Sequence, residues 1–132
     1  MRVQYHNHQD ELDPMSGAVI FDGVRLVELL EGIRKKRPFV AALRGDNGFE
    51  LMFGIGSGVG CVEHKRIDGN LPYLMAMPAQ TRVKSGYVEF LMNNTPTPIS
   101  SRYILNFDEV KQIALHFLET GERSDAFSWE SI

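Results

Sequence analysis

Apolar residues recur at helical spacing in two stretches of the chain. Over residues 24–33 they return every three or four positions, which predicts a helix with one buried face. Asp22 precedes this stretch as a good N-cap, because its carboxylate can accept hydrogen bonds from the first turn. The cations of residues 34–37 suit a helix C-terminus, and Pro38 cannot continue the helix. We therefore predict the first helix over residues 23–36.

The second helical stretch, residues 110–118, carries signals for both of its ends. Asn106 stands at the N-cap position, and Glu109, three residues on, can complete a capping box. Gly121 follows the last apolar position, as expected for the residue that ends a helix in the left-handed conformation. These signals predict the second helix over residues 107–120.

Elsewhere, short apolar or alternating runs are separated by turn residues, and their spacing is typical of an antiparallel meander. Residues 94–98, Asn-Thr-Pro-Thr-Pro, are interpreted as a loop. The pattern predicts one α+β domain over residues 1–132, with an antiparallel sheet of about five to seven strands packed with two main helices. The predicted strands cover residues 39–43, 49–55, 59–64, 71–77, 87–92 and 127–129; residues 2–6 could add an edge strand, and residues 17–21 are a short strand or the lead-in to the first helix.

Charge is unevenly distributed along the chain. Its 132 residues carry a net charge of −3, but residues 1–31 and 106–132 each carry −4, and residues 32–105 carry +5. Solvated helix faces and loops would explain this distribution, and so would an acidic surface that attracts and selects a basic partner. On the second interpretation, the candidate partner-binding residues are Asp10, Glu11, Asp13, Asp46, Glu63 and Asp68.

No motif of a familiar cofactor site or active site is complete. Residues 54–60, Gly-Ile-Gly-Ser-Gly-Val-Gly, lack the glycine spacing of a dinucleotide fingerprint, a following helix and the Lys-Ser/Thr of a P-loop. The chain also lacks the His-x-Glu and Pro-Cys-x-x-Cys segments of zinc nucleobase deaminases and a recognisable serine-hydrolase elbow. We therefore expect no enzyme activity and no cofactor, and a plain hairpin or bulge at residues 54–60.

Metal binding and thiol chemistry are not expected either. His6 and His8 share a face on a strand and, with Asp10, offer donors that Zn²⁺ or Ni²⁺ accepts, but a further ligand is missing nearby. The single cysteine, Cys61, cannot form an intrachain disulfide, and His64 lies on the opposite face of the same predicted strand. We expect Cys61 to be a small buried side chain.

Nucleic acid and membranes are not the expected partners. The one dense basic cluster, residues 34–37, coincides with a predicted helix C-terminus, and the sequence pI is about 5.8. Residues 1–14 do not resemble a signal peptide, and no apolar stretch is long enough to span a bilayer. The expected location is the cytoplasm.

The C-terminal block is the most distinctive part of the sequence. Residues 107–123 read FDEVKQIALHFLETGER, and residues 127–130 read FSWE. This block resembles the end of the first-numbered family of bacterial polymorphic-toxin immunity proteins, where a helix closes with Phe-Leu-x-Thr-Gly-x-Arg and an apolar residue and Trp follow. The resemblance extends more loosely to residues 54–60 and 71–73, and the family often has proline where this chain has Ser124.

The resemblance implies a partner and a mode of action. Such proteins bind a cognate toxin domain, commonly a cytidine or adenosine deaminase acting on nucleic acid, and occlude its active site. Their toxins are delivered by contact-dependent or type VI secretion, and the chain is expected to be the cytoplasmic antidote. A monomer is the favoured oligomeric state, which the sequence leaves open. Two alternatives stay open, a small-ligand-binding regulatory domain using residues 54–60 and the sheet face, and a nucleic-acid-binding module centred on residues 34–37.

Trp129 is predicted to have a structural role within the C-terminal block. We expect it to pack over the second helix, with its indole N–H donating to a backbone carbonyl. The contacts with a toxin are then expected elsewhere, on the acidic loops and the exposed sheet face.

Overall fold

The computed structural model of the chain describes residues 1–78 and 85–132, within which two helices and ten strands form. The helices are α1 (Gly23–Ile33) and α2 (Phe107–Thr120). A short 3₁₀ turn, Ser101–Tyr103, precedes α2. The strands are β1 (Val3–Asn7), β2 (Val19–Ile20), β3 (Phe39–Gly45), β4 (Phe49–Gly56), β5 (Val59–Arg66), β6 (Leu74–Met77), β7 (Tyr87–Met92), β8 (Thr95–Ser100), β9 (Leu105–Asn106) and β10 (Ser128–Ser131).

The strands form one sheet whose main path has the order β10-β6-β5-β4-β3-β1-β2, with β7, β8 and β9 attached to it. Its centre is the predicted meander from β3 to β6. The pairs are antiparallel except β3–β7, which meet in parallel at Phe39 and Leu91. The β4–β5 hairpin turns through Ser57 and Gly58, whose φ angles of 51° and 77° are those of a type I′ turn. The α+β class is confirmed.

Both helices pack on one face of the sheet and form the main core with it. Each helix buries a single stripe at the spacing that the apolar pattern predicted. Neither helix of the described residues is long and apolar enough to cross a membrane. The buried stripes consist of Leu26, Leu29, Leu30 and Ile33 of α1, and of Val110, Ile113, Ala114, Phe117 and Leu118 of α2.

The predicted bounds of α2 are confirmed at both ends. The Asn106 side chain accepts from the Glu109 amide (2.9 Å), and the Glu109 carboxylate accepts from the Asn106 amide (3.0 Å), so the capping box is complete. Gly121 adopts φ 75°, and its N–H donates to the Phe117 carbonyl (2.7 Å). These contacts are local, which is why the sequence alone located them.

The predicted end of α1 at residue 36 is wrong, because the helix ends at Ile33. The next backbone carbonyls accept hydrogen bonds from the β4–β5 turn. The Gly58 amide donates to the Arg34 carbonyl (3.1 Å), and the Ser57 amide donates to the Lys36 carbonyl (3.0 Å). A tertiary contact therefore replaces the last turn of the helix.

The loop predicted at residues 94–98 is also wrong, because Thr95–Ser100 pair with β7 as strand β8. The β7–β8 turn consists of two asparagines with φ angles of 51° and 62°, which suit a two-residue hairpin. Pro96 and Pro98 alternate along β8, so their missing N–H groups face the edge away from β7. Among the described strands β8 pairs with β7 alone, and prolines are tolerated on such an open edge.

β9, at Leu105–Asn106, was not predicted as a strand, and the other strands differ from the prediction only at their ends. β6 begins at Leu74 and not at residue 71, because the exposed Leu71 and Pro72 belong to the preceding turn. β2 is shortened to Val19–Ile20, since Gly17 adopts φ 95° and donates to the Tyr5 carbonyl.

The face of the sheet opposite the helices is covered only in part. The β7–β8 hairpin packs on it through Phe90, which is fully buried with Val40, Cys61, Met75 and Ile104. The rest of this face is the open sheet face, on which neighbouring strands place His6, Arg44, Glu50, Met52, Glu63 and Lys65.

Candidate functional site

The six acidic residues predicted for partner binding lie in three separate places. The structure therefore does not bring them together on one surface. Asp10, Glu11 and Asp13 lie in the β1–β2 loop, Asp46 and Asp68 lie in turns at the opposite end of the sheet, and Glu63 lies on the open sheet face.

The β1–β2 loop presents two exposed carboxylates on a fixed backbone. Asp13 is half-buried and accepts from the side-chain amide of Asn7 (2.9 Å) and from the Met15 amide (2.9 Å). Asp10 accepts from the Leu12 amide (3.0 Å) and, like Glu11, is exposed. Asp13 thus holds the loop, whereas Asp10 and Glu11 present negative charge to solvent.

Asp46 and Asp68 lie among cations at the other end of the sheet. Asp68 accepts from the Asn70 amide (2.9 Å) and from Arg66 (3.4 Å). The Asn70 hydrogen bond and then the Arg66 charge hold the pKa of Asp68 below its usual value. Asp46 is exposed in the β3–β4 turn. The charge of Asp68 is therefore partly compensated within the chain.

Glu63 belongs to an ion-pair network on the open sheet face. Lys65 lies 3.8 Å from Glu63 and 3.7 Å from Glu50, and Arg44 lies 3.4 Å from Glu50. Burial raises the pKa of Glu63, while Lys65 lowers it and Glu50 raises it further. Two acids and two bases balance here, so this face offers a partner little uncompensated charge.

A groove of about 810 Å³ lies between β2 and α1. We call it the β2–α1 groove. Its lining includes the apolar side chains of Met15, Val19 and Phe21, the carboxylates of Asp13, Asp22 and Glu28, and the cations of Arg25 and Lys36.

Exposed apolar side chains concentrate beside this groove. Among the described residues, eight large apolar side chains are exposed, and five of them lie within residues 12–24. Phe21 is 68% exposed and Val24 is 70% exposed. Single exposed apolar residues are ordinary, whereas a local concentration of them marks an interaction surface.

A second groove, of about 660 Å³, lies over the C-terminal block. His64 is buried in its wall, stacked on Phe49, with the edges of Phe117 and Trp129 nearby. Burial and then the Arg123 charge lower the pKa of His64 to about 4. The imidazole is therefore neutral at physiological pH.

The prediction for Trp129 holds in its main point. The Trp129 indole N–H donates to the Ser124 carbonyl (2.8 Å), and the half-buried ring packs against the main core. Trp129 is thus part of the scaffold.

The residues that the sequence suggested for ligand binding, metal binding or catalysis lie where the fold itself accounts for them. The Ser57 and Gly58 amides donate to the Lys36 and Arg34 carbonyls just beyond α1, so these two amides are not available to bind a phosphate. Cys61 and His64 lie on opposite faces of β5, and burial raises the pKa of the Cys61 thiol to about 12. Among the described residues, no three His, Cys, Asp or Glu side chains could together hold a metal ion.

Comparison with protein families identifies the chain. The family described as Immunity protein Imm1 matches residues 9–131, which is nearly the whole chain. The chain belongs to the Imm1 family of immunity proteins. A comparison with curated proteins finds no match. Family membership indicates that the partner of this immunity protein is a toxin.

Sequence reasoning did not identify the β2–α1 groove of this immunity protein or its exposed apolar side chains. Val24 was assigned to the buried period of α1, yet it is exposed. One signal was available, because Val24 is two positions from Leu26 and so lies outside the stripe at i, i+3, i+4 and i+7. The sequence pattern was therefore sufficient to predict that Val24 is exposed.

Proposed function

We propose that this immunity protein binds one cognate toxin, a cytidine or adenosine deaminase acting on nucleic acid, and inhibits it by covering its active site. The family match over residues 9–131 is the observation that carries the toxin-binding part of the proposal. On this proposal the chain acts stoichiometrically, as a monomer without a cofactor, in the cytoplasm of a cell that meets toxins delivered by contact-dependent or type VI secretion.

The distribution of charge supports a toxin of this kind. A deaminase that acts on nucleic acid needs cationic groups to hold the phosphate backbone. Residues 10–31 carry six acids and one base, and they form the β1–β2 loop, β2 and the exposed side of α1. An acidic surface of this size attracts the substrate-binding side of such a toxin and speeds the encounter.

A rescue assay tests the proposed function. The toxin encoded by the adjacent gene is expressed from an inducible promoter, with and without this chain, and growth and mutation of genomic bases are measured. Inhibition of purified toxin on a defined oligonucleotide follows, with increasing amounts of the immunity protein. We expect survival, loss of base conversion and complete inhibition near an equimolar ratio. A toxin that keeps its activity beside an excess of folded chain contradicts the proposal.

Charge reversal tests the predicted acidic contacts separately at each end of the sheet. Asp10→Lys with Glu11→Lys changes the exposed carboxylates of the β1–β2 loop, and Asp46→Lys with Asp68→Lys is the matched pair at the opposite end. Asp13 is left intact because it holds the loop backbone. We expect the loop pair to slow association and to weaken its salt dependence. Toxin association that is insensitive to salt and to both pairs would show that these acids do not contact the partner.

A further inference from the structure

We infer that the β2–α1 groove is the surface on which the toxin docks, and that the toxin fills it with an apolar side chain flanked by lysine or arginine. The inference rests on the proposed function, and it specifies which part of the molecule makes contact and what chemistry the contacting segment carries.

The wall of the β2–α1 groove offers exposed apolar surface to a partner. Met15, Val19 and Phe21 line the groove and remain exposed although the main core lies directly beneath them. An apolar side chain inserted between them would remove surface from water on both partners, at about 25 cal/mol per Å² of apolar surface. Buried apolar anchors of this kind contribute most of the binding free energy in protein interfaces.

Acidic side chains outnumber basic ones among the charged residues that line the groove. Asp13, Asp22 and Glu28 line the groove, against Arg25 and Lys36. Glu11, on the flanking loop, adds to the negative field, whereas Glu31 is compensated by its ion pair with Arg34 (3.5 Å). An occupant with cations beside its apolar anchor matches this pattern, whereas an anionic occupant is repelled.

The groove backbone is fixed before any partner arrives. The Gly17 amide donates to the Tyr5 carbonyl (2.6 Å), and the Tyr5 amide donates to the Ala18 carbonyl (2.9 Å). The Ser16 hydroxyl accepts from the Asn7 amide (3.0 Å). Because these bonds already order the loop, little conformational entropy is lost on docking.

The other two candidate surfaces fit a toxin less well. The charges of the open sheet face compensate one another, and no exposed large apolar side chain of the described residues lies on it. The groove over the C-terminal block has exposed Leu71 in its lining, but its two cations, Arg66 and Arg123, balance its two acids, Glu122 and Asp125, so it offers a cationic partner no excess negative charge.

Matched surface variants test the docking site. Phe21→Ser removes an anchor of the β2–α1 groove, and Leu71→Ser removes an equally exposed side chain at the other groove. Glu28→Lys reverses a groove charge, and Glu89→Lys reverses an exposed charge on β7. The probe is the purified toxin domain encoded by the adjacent gene, in a catalytically inactive form, and binding is measured by biolayer interferometry and calorimetry.

We expect Phe21→Ser to raise Kd at least about tenfold, mainly through faster dissociation, and Leu71→Ser to change it less than about twofold. Glu28→Lys lowers the association rate and its salt dependence, whereas Glu89→Lys does not. Thermal unfolding checks that every variant is folded, and Met15→Gln replaces Phe21→Ser if that variant melts early.

The outcomes separate the inference from the proposed function. If the original chain binds and neutralises the toxin while the groove variants bind as tightly as it does, the docking site is wrong and the function stands. Loss of binding in Leu71→Ser alone transfers the docking site to the other groove and also overturns the inference. If the original chain neither binds nor protects, the proposed function falls, and the inference falls with it.

Discussion

The contact between Gly54 of β4 and Phe90 of β7 gives the sharpest test of how the β7–β8 hairpin is held on the sheet. A Cβ at position 54 would lie 2.5 Å from the nearest carbon of the Phe90 ring. The ring cannot easily retreat, because it is fully buried and the neighbouring Leu91 amide donates to the Pro38 carbonyl (2.9 Å). A methyl group at this position therefore forces the hairpin away from the sheet.

Two opposing effects determine how much Gly54→Ala lowers the free energy of unfolding. Overpacking costs about 1–3 kcal/mol, and replacing a strand glycine returns about 0.5–1 kcal/mol, so Gly54→Ala should destabilise by about 1–2 kcal/mol. Phe90→Ala alone should cost about 3–5 kcal/mol through loss of burial and a cavity. In the double variant the new methyl occupies space that the ring has left, so the total should fall below the sum by about 1–3 kcal/mol.

Urea unfolding of the original chain, both single variants and the double variant measures this coupling, provided that the slopes of the four transitions agree. The result that refutes the reasoning is additivity within about 0.5 kcal/mol, or a Gly54→Ala variant as stable as the original chain. Either would mean that the hairpin does not press on the sheet at Gly54.

Four further predictions concern other parts of the scaffold. The pKa of His64 is lowered from 6.5 to about 4, so between these pH values the unfolded state binds more protons than the folded state. The contribution of His64 to stability is therefore full above pH 6.5 and declines toward pH 4. His64→Phe should flatten this part of the stability–pH curve, measured by urea unfolding. The full shift corresponds to at most about 3 kcal/mol. Gly32→Ala adds a methyl that meets nothing within 4 Å, so thermal unfolding should show a gain of about 0.5–1 kcal/mol; a loss would mean that the helix position is constrained. Asn106→Ala removes the cap of α2 and should cost about 1 kcal/mol, seen as a lower urea midpoint with an unchanged slope. Trp129→Ala should cost about 2–3 kcal/mol, because the ring is only half-buried, and should leave toxin affinity unchanged; an unaltered melting temperature with lost toxin binding would instead make Trp129 a contact residue.

What the sequence could predict depended on how local the determining contacts are. The bounds of α2 follow from Asn106, Glu109 and Gly121, which act within one helical turn of each end. The end of α1 depends on hydrogen bonds from Ser57 and Gly58, more than twenty positions along the chain, so its last turn was misplaced. No property of residues 23–36 alone records that contact.

Strand β8 is a second element that the local sequence alone could not predict. Pro96 and Pro98 indicate a loop when considered alone, and only the pairing with β7 on one side makes them compatible with a strand. The groove was likewise hidden, because it exists only once the chain turns back at Asp22 and places α1 beside β2. The acidic candidates were identified by charge, and charge does not say at which end of a sheet a loop lies.

The groove is built from one uninterrupted stretch of chain, and this has an evolutionary consequence. Apart from Ile33 and Lys36, its lining residues lie within residues 13–32, while the C-terminal block, the most distinctive part of the sequence, begins more than seventy positions after Lys36. Of the α1 residues that line the groove, only Leu29 and Ile33 are also buried in the main core. The groove lining and the core are therefore largely free to change independently. If the toxin docks in this groove as we infer, a single recombination event within a short part of the gene would exchange partner specificity and leave the framework intact. Paralogues with nearly identical C-terminal halves would in that case protect against different toxins.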